Sequence, residues 1–104
     1  MSSNRFTVLS VKLHKDLVVV LYREASKIPG SRVEILTDRI VNEYIDIHKD
    51  DRMLTTYVYG GGEYKYNFQM RQKTAERVRE MAKKYHTSIS TILKTVIKIW
   101  VLQN

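Results

Sequence analysis

Two stretches of the chain alternate apolar and polar residues, and each is followed by two stretches with helical spacing. The alternation covers 6–13 and again 64–70, and a period of two is typical of a half-buried strand. The residues predicted to face inward are Leu9, Val11, Leu13, Tyr66, Phe68 and Met70. This order of elements predicts a mainly helical α+β fold.

Apolar residues spaced three and four apart predict four helices. The first two lie between Asp16 and Ile47, with Pro29-Gly30 ending one helix and Ser31 capping the next. The other two follow the second strand, and their apolar residues cover a wide face that belongs in a core. That face comprises Val78, Met81, Ala82, Tyr85, Ile89, Ile92, Leu93, Val96, Ile97, Trp100 and Val101.

The second half of the chain repeats the first at a fixed offset without a gap. An offset of 57 residues (70 − 13) places Ala82 on Ala25 and Ser88 on Ser31. A strand followed by two helices cannot bury its apolar faces alone, so each copy is expected to complete the core of the other. The predicted organisation is one domain, 1–104, made of two motifs, 5–47 and 64–102, and a connector, 48–63.

The connector is predicted to contribute a third strand. Residues 53–59 are rich in β-branched and aromatic side chains and precede the glycines at 60–62, which is typical of a hairpin. The glycine triplet lacks the Lys-Ser/Thr that follows in a phosphate-binding loop, so it is interpreted as a turn. The edge of such a hairpin would offer a site for pairing with another molecule.

The formal charge of +7 is not spread evenly over the chain. Residues 1–63 contain nine Lys/Arg and nine Asp/Glu, whereas 64–104 contain nine Lys/Arg and two Asp/Glu. An excess confined to one motif favours a surface that faces phosphates. The alternative is an ordinary solvated basic surface.

Several classes of protein are not predicted. The chain has no cysteine, so it has no disulfide framework, and its three histidines are scattered rather than spaced as metal ligands. No stretch approaches the ~20 apolar residues of a membrane span, and no secretion signal opens the chain. We therefore expect an intracellular protein without a membrane partner, a cofactor, a metal, a small-molecule substrate or a catalytic constellation.

The order of strand, helix, polar turn and serine-capped helix resembles the ribbon-helix-helix (MetJ/Arc-type) DNA-binding family. The resemblance covers 5–47 and 64–102. In that family two copies interlock, and their strands pair into an antiparallel ribbon that enters the DNA major groove. The resemblance therefore implies an intramolecular pseudo-dimer with double-stranded DNA as its partner.

The tandem arrangement is similar to the two-copy ribbon-helix-helix regulators of archaeal viruses. That similarity implies a transcriptional repressor or activator of viral genes that acts in the host cell. It also implies self-association along DNA.

The resemblance assigns base reading to outward residues of the two strands, namely Val8, Ser10, Lys12, Lys65, Asn67 and Gln69. Asn and Gln can pair with adenine, Lys donates to guanine, and Val8 can contact a thymine methyl group. The alternative is that these residues are only the solvated face of a sheet. Because the first copy is neutral and Val8 replaces a polar reader, we predict that the second copy contributes most of the affinity and most base contacts.

The family also binds phosphates at the start of the second helix of each copy. The corresponding residues are Ser31, Arg32, Val33, Ser88, Ile89 and Ser90, with Arg71 and Lys73 as further phosphate contacts. The serines would cap their helices in either case.

The rival function is a protein-interaction or assembly module, either antitoxin-like or coating nucleic acid. An antitoxin captures its toxin with a tail, and this chain ends at Asn104 directly after an apolar helix. We therefore expect DNA binding rather than toxin capture.

Overall fold

Two strands and four helices form the part of the chain that the computed structural model describes, which is residues 6–27, 33–56 and 63–103. The order is strand, helix, helix in each half, with a short 3-10 helix between the halves. The elements are β1 (Phe6–His14), α1 (Lys15–Ser26), α2 (Val33–His48), the 3-10 helix (Met53–Thr55), β2 (Glu63–Arg71), α3 (Gln72–Lys84) and α4 (Ile89–Gln103). The predicted mainly helical α+β class is confirmed.

α1 begins where the chain leaves β1. His14, the last residue of β1, accepts a hydrogen bond at Nδ1 from the backbone N–H of Asp16 over 3.2 Å. This bond satisfies one of the N–H groups that have no partner within a helix. Asp16 lies in the first turn as predicted, and the helix ends at Ser26. The predicted stop at Pro29-Gly30 lies outside the described residues.

β1 and β2 form a two-stranded antiparallel sheet. The register runs from Phe6 opposite Arg71 to Lys12 opposite Lys65 and beyond. One face of the sheet is covered, and its buried side chains are Val11, Leu13, Tyr66, Phe68 and Met70, with Leu9 half-buried. The predicted alternation and its inward face are confirmed for both strands.

The core is shared by elements from both halves of the chain. Phe68 and Met70 of β2 are inaccessible to solvent, and they belong to the same cluster as Leu21 of α1, Val41 of α2 and Leu93 of α4. Both halves therefore bury their apolar faces against each other, as the repeat predicts.

Asn42 on α2 connects the two halves through side-chain hydrogen bonds to α3. Its Nδ2 donates to Thr74 Oγ1 over 2.8 Å, and its Oδ1 accepts from Arg77 Nη1 over 2.7 Å. Thr74 is only 2% exposed, so its hydroxyl is remote from water.

Asn42→Ala is expected to lower the free energy of unfolding by about 1–3 kcal/mol, because it leaves a buried hydroxyl without this donor. Chemical denaturation measures the change. The neighbouring exposed Glu43→Ala is the control and is expected to change stability by less than ~0.5 kcal/mol. Equal effects of the two variants would contradict a specific role for Asn42.

The predicted third strand is wrong where the structure describes it. Residues 53–55 form a 3-10 helix, and Tyr57 to Gly62 lie outside the described residues. The Asp51 carboxylate accepts a hydrogen bond from Met53 N–H over 2.8 Å, which together with the His48 side chain lowers the pKa of Asp51. Leu54 is inaccessible to solvent. A capped turn that buries one leucine therefore replaces the extended conformation that the β-branched composition indicated.

α3 ends in a Schellman motif centred on His86. The N–H of Thr87 donates to the carbonyl of Ala82 over 2.9 Å, and the N–H of His86 donates to the carbonyl of Lys83 over 3.3 Å. His86 has a φ of 55°, a left-handed conformation that glycine adopts without a Cβ penalty.

His86→Gly is therefore expected to raise the free energy of unfolding by about 1 kcal/mol, which corresponds to an increase of about 4–8 °C in Tm for a domain of this size. Thermal unfolding followed by circular dichroism measures it. Lys83→Gly, in the last turn of the same helix, is the matched control, and its loss of about 1 kcal/mol should have the opposite sign.

Candidate nucleic-acid interface

The six side chains predicted to read bases lie together on the exposed face of the sheet, here called the outer face. The register places them directly opposite each other in three pairs, which are Val8 with Gln69, Ser10 with Asn67, and Lys12 with Lys65. All six are exposed, and Val8 retains 49% of its accessible surface. The helices pack against the other face of the sheet, so they leave the outer face uncovered.

The central pair of the outer face joins the two halves of the chain. Ser10 Oγ donates a hydrogen bond to Asn67 Oδ1 over 2.7 Å. These two residues are cross-strand partners and are also separated by the repeat offset of 57 (67 − 10). The central pair therefore consists of two equivalent residues, one from each copy of the repeat. The hydrogen bond restrains the Asn67 amide and leaves its Nδ2 hydrogens out of the contact with Ser10.

A groove of about 350 Å³ lies beside the Lys12–Lys65 pair. Ser10, Lys12 and Lys65 line it from the strands, and Ser90 and Lys94 line it from α4. Three lysines and, among the described residues, no carboxylate line this groove, so the exposed Lys12 and Lys65 give it a positive potential. We call this part of the outer face, with Lys94, the lysine end.

Lys94 is a residue that the sequence reasoning missed. It follows Ser90 by one helical turn on α4, and residues four apart share a helix face. That spacing from a residue already assigned to phosphate binding was the signal that could have identified it.

The start of α4 is capped as predicted. Ser88 Oγ accepts a hydrogen bond from the backbone N–H of Thr91 over 3.0 Å, and the Ser88 carbonyl accepts from Ile92 N–H over 3.2 Å. Ile89 and Ser90 occupy the first turn, where N–H groups have no carbonyl partner within the helix. Through Ser90, these amides lie next to the lysine end of the sheet.

The remaining candidates for phosphate binding are more dispersed. Ser31 and Arg32 lie outside the described residues, and Val33 is the first residue of α2. Arg71 is exposed at the end of β2, where its backbone N–H donates to the Asp38 carboxylate over 3.0 Å. Lys73 is exposed in the first turn of α3.

Part of the positive charge of the second half is neutralised within the molecule. The Arg77 guanidinium forms an ion pair with Asp46, and Lys84 Nζ lies 3.5 Å from Asp50 and donates to the carbonyl of Lys49 over 2.8 Å. Both acids belong to the neutral first half. The excess of +7 is therefore not available as a whole to an external polyanion.

Charge on the outer face is divided between its two ends and not between the two copies. Lys12 belongs to the first copy and Lys65 to the second, yet they lie opposite each other at one end. Val8 and Gln69 form an uncharged pair towards the other end, and the exposed Arg71 lies one pair beyond them, opposite Phe6. The charge difference predicted between the two copies is thus not found as such on the outer face, because antiparallel pairing places residues of both copies at each end.

An apolar flank adjoins the lysine end on the side of α1. Val19, Tyr22 and Tyr64 are about half exposed and line a groove of about 380 Å³. The Tyr22 ring meets the ring of Tyr66 edge to face, with centroids 6.2 Å apart. Burial and the neighbouring Tyr22 hydroxyl raise the pKa of Tyr66, so its phenol stays neutral. The sequence reasoning did not identify this flank.

Comparison of the chain with protein-family models, with curated proteins and with solved structures finds no match. None of the described helices combines the length and the hydropathy that crossing a bilayer requires. Within the same residues, His, Asp and Glu side chains form no group of three that could hold a metal ion.

Proposed function

We propose that the protein is a sequence-specific double-stranded DNA-binding regulator that inserts β1 and β2 into the major groove. In this proposal the two halves are ribbon-helix-helix copies that form an intramolecular pseudo-dimer. The observation that carries it is the outer face itself, which presents three cross-strand pairs of exposed side chains on a two-stranded antiparallel sheet.

The dimensions of the sheet suit the major groove. Neighbouring strands lie about 4.8 Å apart, and the major groove is about 12 Å wide and admits a two-stranded ribbon. An ordinary exposed sheet face could be as polar as this one. Within the described residues, however, this sheet has two strands, and a single groove can enclose that width.

The chemistry of the outer face also suits base edges. Gln69 and Asn67 can each contact adenine N6 and N7, Lys12 and Lys65 can donate to guanine O6 and N7, and Val8 can pack on a thymine methyl group. The first-turn amides of α4, next to the same face, are suited to a flanking phosphate. Base readers and a phosphate anchor would therefore engage one duplex together.

Titration of the protein into labelled DNA at several salt concentrations tests this function. We expect the affinity to fall steeply with salt, each phosphate contact adding ~0.9 to the slope of log affinity against log salt. We also expect tighter binding to a duplex selected from a random pool than to a random duplex. A steep salt dependence without any sequence preference would favour the nucleic-acid-coating alternative, and neither effect would favour a protein-interaction module.

Asn67→Ala and Gln69→Ala test the base-reading role of the outer face. Each is expected to weaken binding to the selected duplex by about 1–3 kcal/mol while leaving binding to random DNA nearly unchanged, because base contacts specify and phosphate contacts do not. Binding titrations on both duplexes measure the difference. An equal loss on the two duplexes would show that these amides do not read bases.

A further inference from the structure

We propose that the protein binds an asymmetric DNA target in one orientation, with its lysine end over guanines and its Val8–Gln69 end over an A·T step. This inference rests on the proposed function and goes beyond it, because a pseudo-symmetric ribbon alone would read a palindrome. It specifies which kind of base lies under each end.

The two ends of the outer face occupy equivalent positions in the repeat. In the repeat, Val8 corresponds to Lys65 and Lys12 corresponds to Gln69, each 57 residues apart. The Val8–Gln69 pair is therefore the equivalent, at its own end of the sheet, of the Lys12–Lys65 pair. Ser10 and Asn67, at the centre, are exchanged with each other. A symmetric molecule would carry the same pair at both ends, whereas here one end has two lysines and the other has the uncharged Val8 and Gln69, with the exposed Arg71 one pair farther along.

The helices extend this difference beyond the strands. Ser90 and Lys94 of α4 line the groove at the lysine end. The same offset relates them to Val33 and Thr37 of α2, and Thr37 is only 1% exposed. The lysine end thus includes a third lysine, which comes from a helix, and the equivalent helix position at the other end holds a buried neutral side chain.

Lys12 and Lys65 place two like charges directly opposite each other on the two strands. Like charges directly opposite on two strands are destabilising, and no carboxylate among the described residues lines their groove. A guanine offers two adjacent acceptors, O6 and N7, in the major groove, and lysine is suited to both. Guanine edges at this end would accept hydrogen bonds from the two ammonium groups, whereas adenine presents an N6 donor there.

The other end suits A·T pairs. Gln69 can donate to adenine N7 and accept from N6, and the exposed apolar Val8 beside it can contact the thymine methyl group. The outer pairs are four residues apart along each strand, which is about 13 Å at ~3.3 Å per residue. With one base pair per ~3.4 Å, the guanine and A·T elements should lie about four base pairs apart.

Selection of bound duplexes from a random DNA pool with the full chain tests the inference. We expect a non-palindromic motif with guanine on one side and an A·T step about four base pairs away. Exchanging the two bases of a pair in either element, so that G·C becomes C·G or A·T becomes T·A, should weaken binding to a selected duplex roughly tenfold. A palindromic motif would overturn the inference and leave the proposed function intact, whereas no enriched motif would overturn both.

Two double variants, each of which copies the side chains of one end of the outer face to the equivalent positions at the other end, sharpen the test. The double variant V8K/Q69K places lysine pairs at both ends, and the double variant K12Q/K65V places a valine–glutamine pair at both ends. All four positions are exposed, so both variants are expected to fold, and circular dichroism checks this. The first should select a palindrome with guanine on both sides and the second a palindrome with A·T steps on both sides. An unchanged motif in either folded variant would contradict the inference.

A chemical cleavage experiment on the otherwise unaltered protein reports orientation directly. The chain has no cysteine, so Lys15→Cys, at the start of α1 just beyond the lysine end, provides one attachment site for an iron chelate. We expect DNA cleavage on the guanine side of the selected duplex only. Equal cleavage on both sides would show that the protein binds in both orientations.

Discussion

Replacing Lys12 and Lys65 together by glutamate is expected to weaken binding to the selected duplex by at least about 100-fold. The change removes two donors that face base edges, each worth roughly 1–3 kcal/mol, and places two carboxylates at the wall of the major groove. The pair lies on the exposed face of the sheet and already carries like charges, so the fold should be retained. Fluorescence anisotropy with a labelled duplex measures the loss.

Lys49→Glu with Lys83→Glu is the matched control. It changes the formal charge by the same amount, from +7 to +3 (7 − 4). Lys49 follows the end of α2, and Lys83 lies in the last turn of α3, about 16 Å along that helix from β2. We expect the control to weaken binding far less. Its effect should come from long-range electrostatics alone and should therefore diminish as the salt concentration rises. Equal losses for the two double variants would mean that net charge governs binding and the outer face does not.

Phe68→Ala is expected to reduce the free energy of unfolding by about 3–5 kcal/mol. Phe68 lies at the middle of β2, is inaccessible to solvent, and packs edge to face on Tyr66 with ring centroids 4.8 Å apart. A small domain has a total stability of only about 5–15 kcal/mol, so the variant should be close to unfolding. Because Asn67 and Gln69 flank Phe68 on the opposite face, DNA binding should weaken with the loss of the strand.

The only other phenylalanine of the chain provides the control. Phe6, at the start of β1, is 43% exposed. Phe6→Ala leaves no closed cavity and is expected to cost less than about 1 kcal/mol. Chemical denaturation of the two variants measures both values. A similar loss for both would contradict the assignment of Phe68 to the shared core.

Much of the fold could be predicted from the hydrophobic pattern. Alternation at a period of two identified both strands and their inward residues, since only the apolar face of a two-stranded sheet can be buried against helices. The repeat also predicted that the two copies share a core, because a single copy cannot bury its apolar faces, and the resemblance to ribbon-helix-helix proteins implied that the strands pair. The resulting register brought all six predicted base-reading side chains onto one surface.

The connector could not be predicted in the same way. Met53, Thr55 and Thr56 have the composition of a strand, but the Asp51 carboxylate caps the segment and Leu54 belongs to the buried core. The strand propensity of such residues reflects their surroundings more than their backbone. The 3-10 conformation there is accompanied by an aspartate cap and by the burial of one leucine.

The distribution of charge also required the structure. Counting by halves assigned the positive excess to the second copy, whereas Arg77 and Lys84 of that copy contact acids of the first half. Conversely, Lys12 of the neutral half lies opposite Lys65. Pairings between residues distant in sequence set the potential at a surface, and a count along the chain does not contain them.

The central claim is that the outer face of the β1–β2 sheet contacts DNA bases. Nuclear magnetic resonance of the ¹⁵N-labelled protein tests it most directly, because the side-chain amide signals of Asn67 and Gln69 report on these two readers. On addition of the selected duplex we predict large shifts of both signals and intermolecular contacts from them to protons in the major groove. Unchanged Asn67 and Gln69 signals, with shifts confined to the helices, would contradict the account.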